Sequence, residues 1–254
     1  MNKSAVKETD YGNWVPKRFI YLFSVLTVVF LLLSFLFWFS IIPALLCIVV
    51  ALYFVYARYL FSAKGGDIQN QIWKLPISNL YWNGKGQALD IGCGNGPLTI
   101  KLAQAFPEGK IIGIDFWGKK WEYSRKACEA NAKDEGVNER TVFQKASASK
   151  LPYDDGFFDA VVSNFCFHEV SDSKDKREVI REALRVVKKG GGFSFQDIFL
   201  FKQVYGDIDQ LLGCIKSWGI EKVEFIETRN APFIPVALKL PFMLGQMGII
   251  KGIK

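Results

Sequence analysis

Hydrophobic patterning divides the chain into regions of different character. Residues 1 to 18 are polar. The 39 positions between Arg18 and Arg58 then carry no charge at all. One bilayer crossing takes about 20 apolar residues. The run therefore predicts two spans, Phe19 to Phe39 and Ile41 to Leu60, joined near Ser40 to Pro43. Residues 64 to 83 read as a breaker followed by one short helix carrying Ile68, Ile72, Trp73 and Leu75. From residue 86 onward short apolar runs alternate with amphipathic stretches, the signature of strand–helix units and a right-handed parallel sheet. Strands are expected at 88–91, 111–114, 141–144, 157–164, 188–195, 223–228 and 249–253, with helices after residue 97, over 174–189 and over 202–218. Before the last strand stands an apolar stretch, 231–244, whose prolines at 232, 235 and 241 exclude a long helix. It reads either as a loop that admits a lipophilic substrate from a membrane or as a strap packed on the sheet.

The densest signal lies at residues 89 to 100, Leu-Asp-Ile-Gly-Cys-Gly-Asn-Gly-Pro-Leu-Thr-Ile. An apolar strand runs into Gly92-x-Gly94-x-Gly96 and a helical pattern follows, so a ligand is expected at the carboxyl edge of the sheet. The dinucleotide fingerprint requires a glycine three residues after the second, and Pro97 stands there. Asp90, inside the strand, would repel a pyrophosphate and suits a ligand that carries a cation.

This pattern resembles the first motif of the class I S-adenosylmethionine-dependent methyltransferases, whose cofactor bears an ammonium and a sulfonium. The resemblance implies that Asp90, Gly92, Cys93, Gly94 and Gly96 hold S-adenosyl-L-methionine. It extends over residues 66 to 230. Asp115 ends the second strand, where doubly wound folds place an acid for two ribose hydroxyls, and Phe116 and Trp117 follow to cover an adenine face. After the third strand the family has Asp-Ala-x-x-Leu-Pro-Phe, with the Asp accepting the adenine amino hydrogen. Here Ser147 takes that place in Ser147-Ala148-Ser149-Lys150-Leu151-Pro152-Tyr153, so the adenine contact is expected from the Ser147 hydroxyl or the Ala148 amide. Phe158-Asp159-Ala160-Val161 matches the fourth-strand pattern, and Asn164 ends that strand as a cofactor-side residue. The implied fold is a Rossmann-like, doubly wound, seven-stranded sheet with an antiparallel last strand at its edge, preceded by a two-helix transmembrane hairpin. The division expected is a polar lead (1–18), the hairpin (19–61) and the methyltransferase domain (64–254), with an apolar insertion at 231–248.

Charge changes the picture once it is located. The net charge is +7, yet residues 65–230 are neutral, and the excess sits on residues 1–64 and 231–254. This favours anionic lipid headgroups over nucleic acid as a partner, since a nucleic-acid site needs a basic patch on the catalytic domain. Lys17, Arg18, Arg58 and Lys64 flank the apolar run and predict an integral membrane protein with its catalytic domain in the cytoplasm. Five scattered cysteines and a single histidine predict neither a disulfide framework nor a metal site.

That histidine, His168, follows Asn164 by four residues, on the side where acceptors sit in this family. A neutral imidazole there takes a proton from a hydroxyl or thiol acceptor, or the residue is a loop histidine that caps the next helix or orients Glu169. Glu169 is a second candidate base or cation binder. Phe165 and Phe167 line an apolar acceptor pocket or pack the sheet edge. Ser163-Asn164-Phe165-Cys166 lacks the Asn-Pro-Pro-Tyr-like tetrapeptide of enzymes that methylate protein or nucleic acid. The sequence thus predicts a membrane-anchored methyltransferase acting on a small lipophilic acceptor such as a quinone, a lipid headgroup amine or a thiol. The alternative is a catalytically inactive, cofactor-binding membrane scaffold or sensor.

Overall fold

The computed structural model describes residues 9–118 and 123–254. Residues 1–8 of the polar lead lie outside it. The described residues fall into two compact units, one of residues 13–72 and the other of residues 9–12 together with those described from 73 to 254.

The first unit holds α1 (Lys17–Leu33) and α2 (Ile41–Phe61), joined by residues 34–40. They pack antiparallel: Phe54 stacks on Phe19 and Phe23 with ring centroids 5.3 and 5.9 Å apart. Leu32, Leu46, Val49 and Leu52 are exposed. The first helix is shorter than the sequence predicts. It stops at Leu33, where the Ser34 hydroxyl turns back to the Leu31 carbonyl, a side-chain bond that competes with helix continuation. Seventeen residues make a rod of about 25 Å. Among the described residues, only the segment Trp38–Phe61, with mean hydropathy 2.5, is both long and apolar enough to cross a membrane. The junction carries Phe35, Leu36 and Trp38, all strongly exposed.

α3 (Ile68–Ser78) leads into the second unit. There β1 (Gly86–Ile91), β2 (Gly109–Asp115), β3 (Thr141–Lys145), β4 (Phe158–Asn164), β5 (Val187–Asp197), β6 (Lys222–Ile226) and β7 (Gly248–Ile253) form one seven-stranded sheet in the order β3-β2-β1-β4-β5-β7-β6. β1 to β5 run parallel, and β7 pairs antiparallel with both β5 and β6. The expected edge position of the last strand is therefore corrected: β7 lies inside the sheet and β6 forms the edge. Burial explains the order, since Ile249 and Ile250 on opposite faces of β7 are both fully covered, whereas β6 is only half-buried along its length.

Strand alternation splits the core into two layers. Leu89, Ile91, Val161, Phe193 and Phe195 meet α6 (Lys176–Arg185), α7 (Lys202–Tyr205) and α8 (Ile208–Ser217) on one face. Ala88, Ile111, Phe143, Ala160 and Val162 meet α4 (Pro97–Ala105) and α5 (Arg125–Asp134) on the other. The single helix expected over 202–218 is broken at Gly206, where φ is +75°, and α8 restarts with Asp207 as its cap. The helix expected over 174–189 is likewise shorter, because β5 already begins at Val187.

The stretch ahead of α1 is not a free polar lead in its described part. Thr9 Oγ1 and Tyr11 Oη donate to Glu135 Oε1 at 3.0 and 3.3 Å, and Asn131 Nδ2 donates to the Asp10 carbonyl at 3.0 Å. The Tyr11 ring meets Trp73 edge-on at 5.6 Å, and Lys101 Nζ lies 5.9 Å from both rings. Tyr11→Ala should therefore destabilise the sheet unit by about 2 kcal/mol, and Tyr11→Phe, which loses only the bond to Glu135, by about 1 kcal/mol. Thermal denaturation of the whole chain measures both, and an unchanged midpoint for the alanine variant would mean that this docking carries no stability.

Candidate functional site

The carboxyl ends of β1, β2, β4 and β5 converge on one edge of the sheet, and the residues singled out from the sequence collect there. β1 enters its turn through Gly92, at φ +79°. A Cβ at this position would run into the Cys166 side chain, so the turn passes close under the segment that follows β4 only because glycine stands there. Gly94 and Gly96 also have positive φ, and Pro97 opens α4. The amides of Gly92 and Cys93 both donate to the Ile114 carbonyl, at 2.8 and 2.9 Å, which ties the turn to the end of β2. Cys93 itself is buried under it.

Asp90 is 1% exposed, and one carboxylate oxygen accepts from Thr99 Oγ1 at 2.6 Å. The other has no partner among the described residues. Burial pushes its pKa up to about 7, against the opposing bonds from Thr99. A buried acid with one unused oxygen is costly alone and gains from a cation brought beside it.

Asp115 is already engaged by backbone. Its Oδ2 accepts the Gly94 amide at 2.9 Å and its Oδ1 the Trp117 amide at 2.8 Å. Burial raises its pKa, and the same backbone bonds resist the rise. Trp117, at φ +45°, folds back so that its Nε1 donates to the Gly94 carbonyl at 2.9 Å. The Phe116 ring is 62% exposed under Lys145 Nζ, and Trp117 is the aromatic that lies on the glycine turn. Cys128 Sγ donates to the same carbonyl at 3.0 Å, and Asn131 Nδ2 to the Asn95 carbonyl at 3.0 Å.

Ser147 is committed elsewhere as a donor. Its hydroxyl and that of Ser149 donate to Asp172 Oδ2 at 2.7 and 2.6 Å, and these two bonds hold Asp172 below the usual carboxylate range. The Ser147 oxygen also accepts the Ser149 amide at 3.3 Å. Ala148 is buried beside it. Asn164 Oδ1 accepts from Gln196 Nε2 at 2.8 Å, which leaves the Asn164 amide as a donor.

His168 and Glu169 stand in a short turn beyond β4, and the structure adds a residue that sequence reasoning missed. Asp197, the last residue of β5, is fully buried and lies 2.6 Å from His168 Nδ1. Its other oxygen accepts the Phe167 amide at 2.9 Å. A carboxylate here accepts a hydrogen bond from Nδ1–H, which keeps that proton on the ring and puts the lone pair on Nε2. Nε2 lies 3.6 Å from Glu169 Oε1. Phe165, at φ +52°, presents its ring edge-on to His168, whereas Phe167 is wholly buried against Phe195. The available signal for Asp197 was an acid closing an apolar strand, the same signal that identified Asp115. Among the described residues no cluster of side chains is able to hold a metal ion.

A family profile described as a methyltransferase domain matches residues 83–225. The 27-O-demethylrifamycin SV methyltransferase of Amycolatopsis mediterranei is 37% identical over 159 residues, which cover 53% of this chain and 55% of that one. A demethylmenaquinone methyltransferase of Roseiflexus castenholzii is 36% identical over 147 residues, covering 54% of this chain and 57% of its own. The chain thus spans about half the length of these curated relatives. Geranyl diphosphate C-methyltransferase from Streptomyces coelicolor, solved in complex with geranyl diphosphate and S-adenosyl-L-homocysteine, superposes with a TM-score of 0.56 at 12% identity, covering 75% of this chain and 81% of that one. At that identity the likeness is one of fold.

The Asp90 geometry has a measurable consequence. An acid whose pKa is raised on folding is neutral in both states at low pH; its penalty on the fold builds up as pH rises from the ordinary value of 3.8 to about 7, where the folded group also ionises, and is constant above that. Asp90→Asn keeps an acceptor for Thr99 and cannot ionise. Its melting temperature should exceed that of the wild type by several degrees at pH 8 and match it near pH 4, while affinity for a cationic ligand falls. Equal midpoints at pH 8 would show that Asp90 titrates normally.

Proposed function

Because the chain belongs to the methyltransferase domain family, and its cofactor is S-adenosylmethionine, we propose that it is a membrane-anchored enzyme that methylates a small lipophilic acceptor. The observation that carries the reading is the His168–Asp197 pair, placed at the same sheet edge as the glycine turn. The residues present fit the cofactor. Asp90 offers an unused buried oxygen to its cationic amino-acid end, Gly92 to Gly96 form a cradle that side chains would fill, and Asp115 retains lone pairs for ribose hydroxyls. Phe116, Trp117 and the Ser147–Ala148 turn bound the adenine side, with Asn164 a further residue on the cofactor side. When bound, the cofactor supplies a methyl group activated by a positive sulfur.

The protein's own contribution is alignment and proton removal. His168, neutral and fixed by Asp197, takes the acceptor's proton at Nε2, and the buried carboxylate stabilises the imidazolium that results. Glu169 is the next acceptor in line for that proton. A base of this kind serves a hydroxyl, an enol or a thiol, whereas a free amine has less need of one. Two relatives are named for a quinone and a rifamycin, and this supports a small acceptor that can lose a proton.

The membrane reading rests on the first unit. α2 is long enough to span, and α1 with the aromatic junction at 35–39 completes a hairpin that dips from the same side. Lys17, Arg18, Arg58 and Lys64 then keep both ends, and the catalytic unit, in the cytoplasm.

Incubation of the full chain with membrane lipid extract and isotopically methyl-labelled cofactor, followed by mass spectrometry, tests the activity and identifies the acceptor. His168→Gln should lower kcat by about 100-fold or more with cofactor affinity kept. Asp197→Asn, which keeps the side chain's shape but not its two acceptor oxygens, should lower it in the same direction. Full turnover by His168→Gln would remove the base from the mechanism while leaving the transferase reading intact. Alkaline carbonate should leave the full-length protein in the membrane pellet, and release into the supernatant would refute integral attachment.

A further inference from the structure

The segment between β6 and β7 is an internally hydrogen-bonded strap with an apolar outer surface. Ile226 pairs with Ile249, and Asp197 with Gly248. Both ends of the strap therefore stand at the sheet edge where β5 ends, the edge that carries His168 and the glycine turn. A further bond from the Leu200 amide to the Gln246 carbonyl, at 3.1 Å, fastens the strap beside the residues that follow Asp197.

Ile234, Leu238, Leu244 and Met247 are buried and anchor it from below. Its backbone is largely satisfied from within. The amides of Leu238 and Lys239 donate to Pro235 and Val236, and those of Leu244 and Gly245 to Leu238 and Leu240, at 2.9 to 3.0 Å. Pro232, Pro235 and Pro241 have no amide hydrogen to satisfy. A side chain at Gly245 would collide with the Lys239 and Leu240 carbonyls, so the closure is too tight for any residue but glycine.

The outer surface runs against this economy. Val236 is 82% exposed, Leu240 and Phe242 are exposed, and Pro232 and Pro241 stand out beside them. Lys239 is the one charge between residues 230 and 250. Internally bonded backbone, an apolar surface and a single cation are what an interfacial membrane segment requires. We propose that this strap surface rests in the headgroup–acyl boundary of the bilayer, with Lys239 at the headgroups. The proposal builds on the membrane reading above and adds a second point of contact, on the catalytic unit itself. A bilayer is the occupant because the same chain carries an uncharged run of 39 residues that holds it at one. The bilayer then lies at the edge where the acceptor is methylated, and a lipophilic acceptor reaches His168 without crossing bulk water.

The test uses Val236→Trp in the full-length protein, reconstituted in vesicles of phosphatidylcholine and phosphatidylglycerol, with Lys189→Trp near the opposite end of β5 as control. Lipids brominated along the acyl chain quench indole at shallow depth, about 5–10 Å below the surface. After subtraction of the wild-type emission, Val236→Trp should lose about half of its added signal and Lys189→Trp almost none. Equal quenching of the two would overturn the proposal. Protection of the indole at position 236 from acrylamide without lipid quenching would also overturn it, and would assign the surface to a second copy or another protein. Carbonate extraction of the same vesicles separates the two readings: release refutes the membrane anchor, whereas retention with an unquenched indole at position 236 refutes the strap contact alone.

Discussion

Strand order reverses between β1 and β4, so the helices that follow these neighbouring strands leave on opposite faces of the sheet, and a crevice opens beyond their carboxyl ends. α4 departs into the layer with α5, and α6 into the layer with α8. The glycine turn and the turn bearing His168 therefore face one another across a gap that neither helix can fill. Cys166 approaches Gly92 across it. The positions of Asp90, Asp115, Asn164 and Asp197 follow from this one constraint, because each lies on a strand at or near the end that opens into the crevice.

Two carboxylates buried at this edge are used in opposite ways. Asp197 is saturated: it meets the backbone amides of Phe167 and Ile198 as well as His168 Nδ1. A group held by that many donors does not move, and it fixes the ring beside it. Asp90 has Thr99 on one oxygen and, among the described residues, nothing on the other. One acid is complete within the protein and acts as a support. The other is left incomplete within the described residues.

What could be read from the sequence was what lies close along the chain. The glycine turn, the acid at the end of β2 and the apolar run are local patterns, and local dihedral and solvation preferences write them. The pairing of His168 with Asp197 depends on the register of two strands and joins residues 29 positions apart, which no periodicity carries. The same holds for β7, whose insertion between β5 and β6 is settled by how completely its two faces are covered. Phe116 and Trp117 are adjacent and chemically alike, and only the unusual backbone at Trp117 decides which ring turns inward. The end of α1 went unread because every residue around it is apolar, and hydropathy is blind to a serine that caps its own helix.

The helical hairpin is an insertion rather than an appendage, since residues of the sheet unit precede it as well as follow it. Thr9 and Tyr11 meet Glu135 across separations of 126 and 124 residues. During synthesis the leading segment therefore emerges from the ribosome long before its partners exist. Both hairpin helices are complete while α4 and α5 have still to be translated. The contacts that hold residues 9–11 to the sheet unit can therefore form only after both helices have been made.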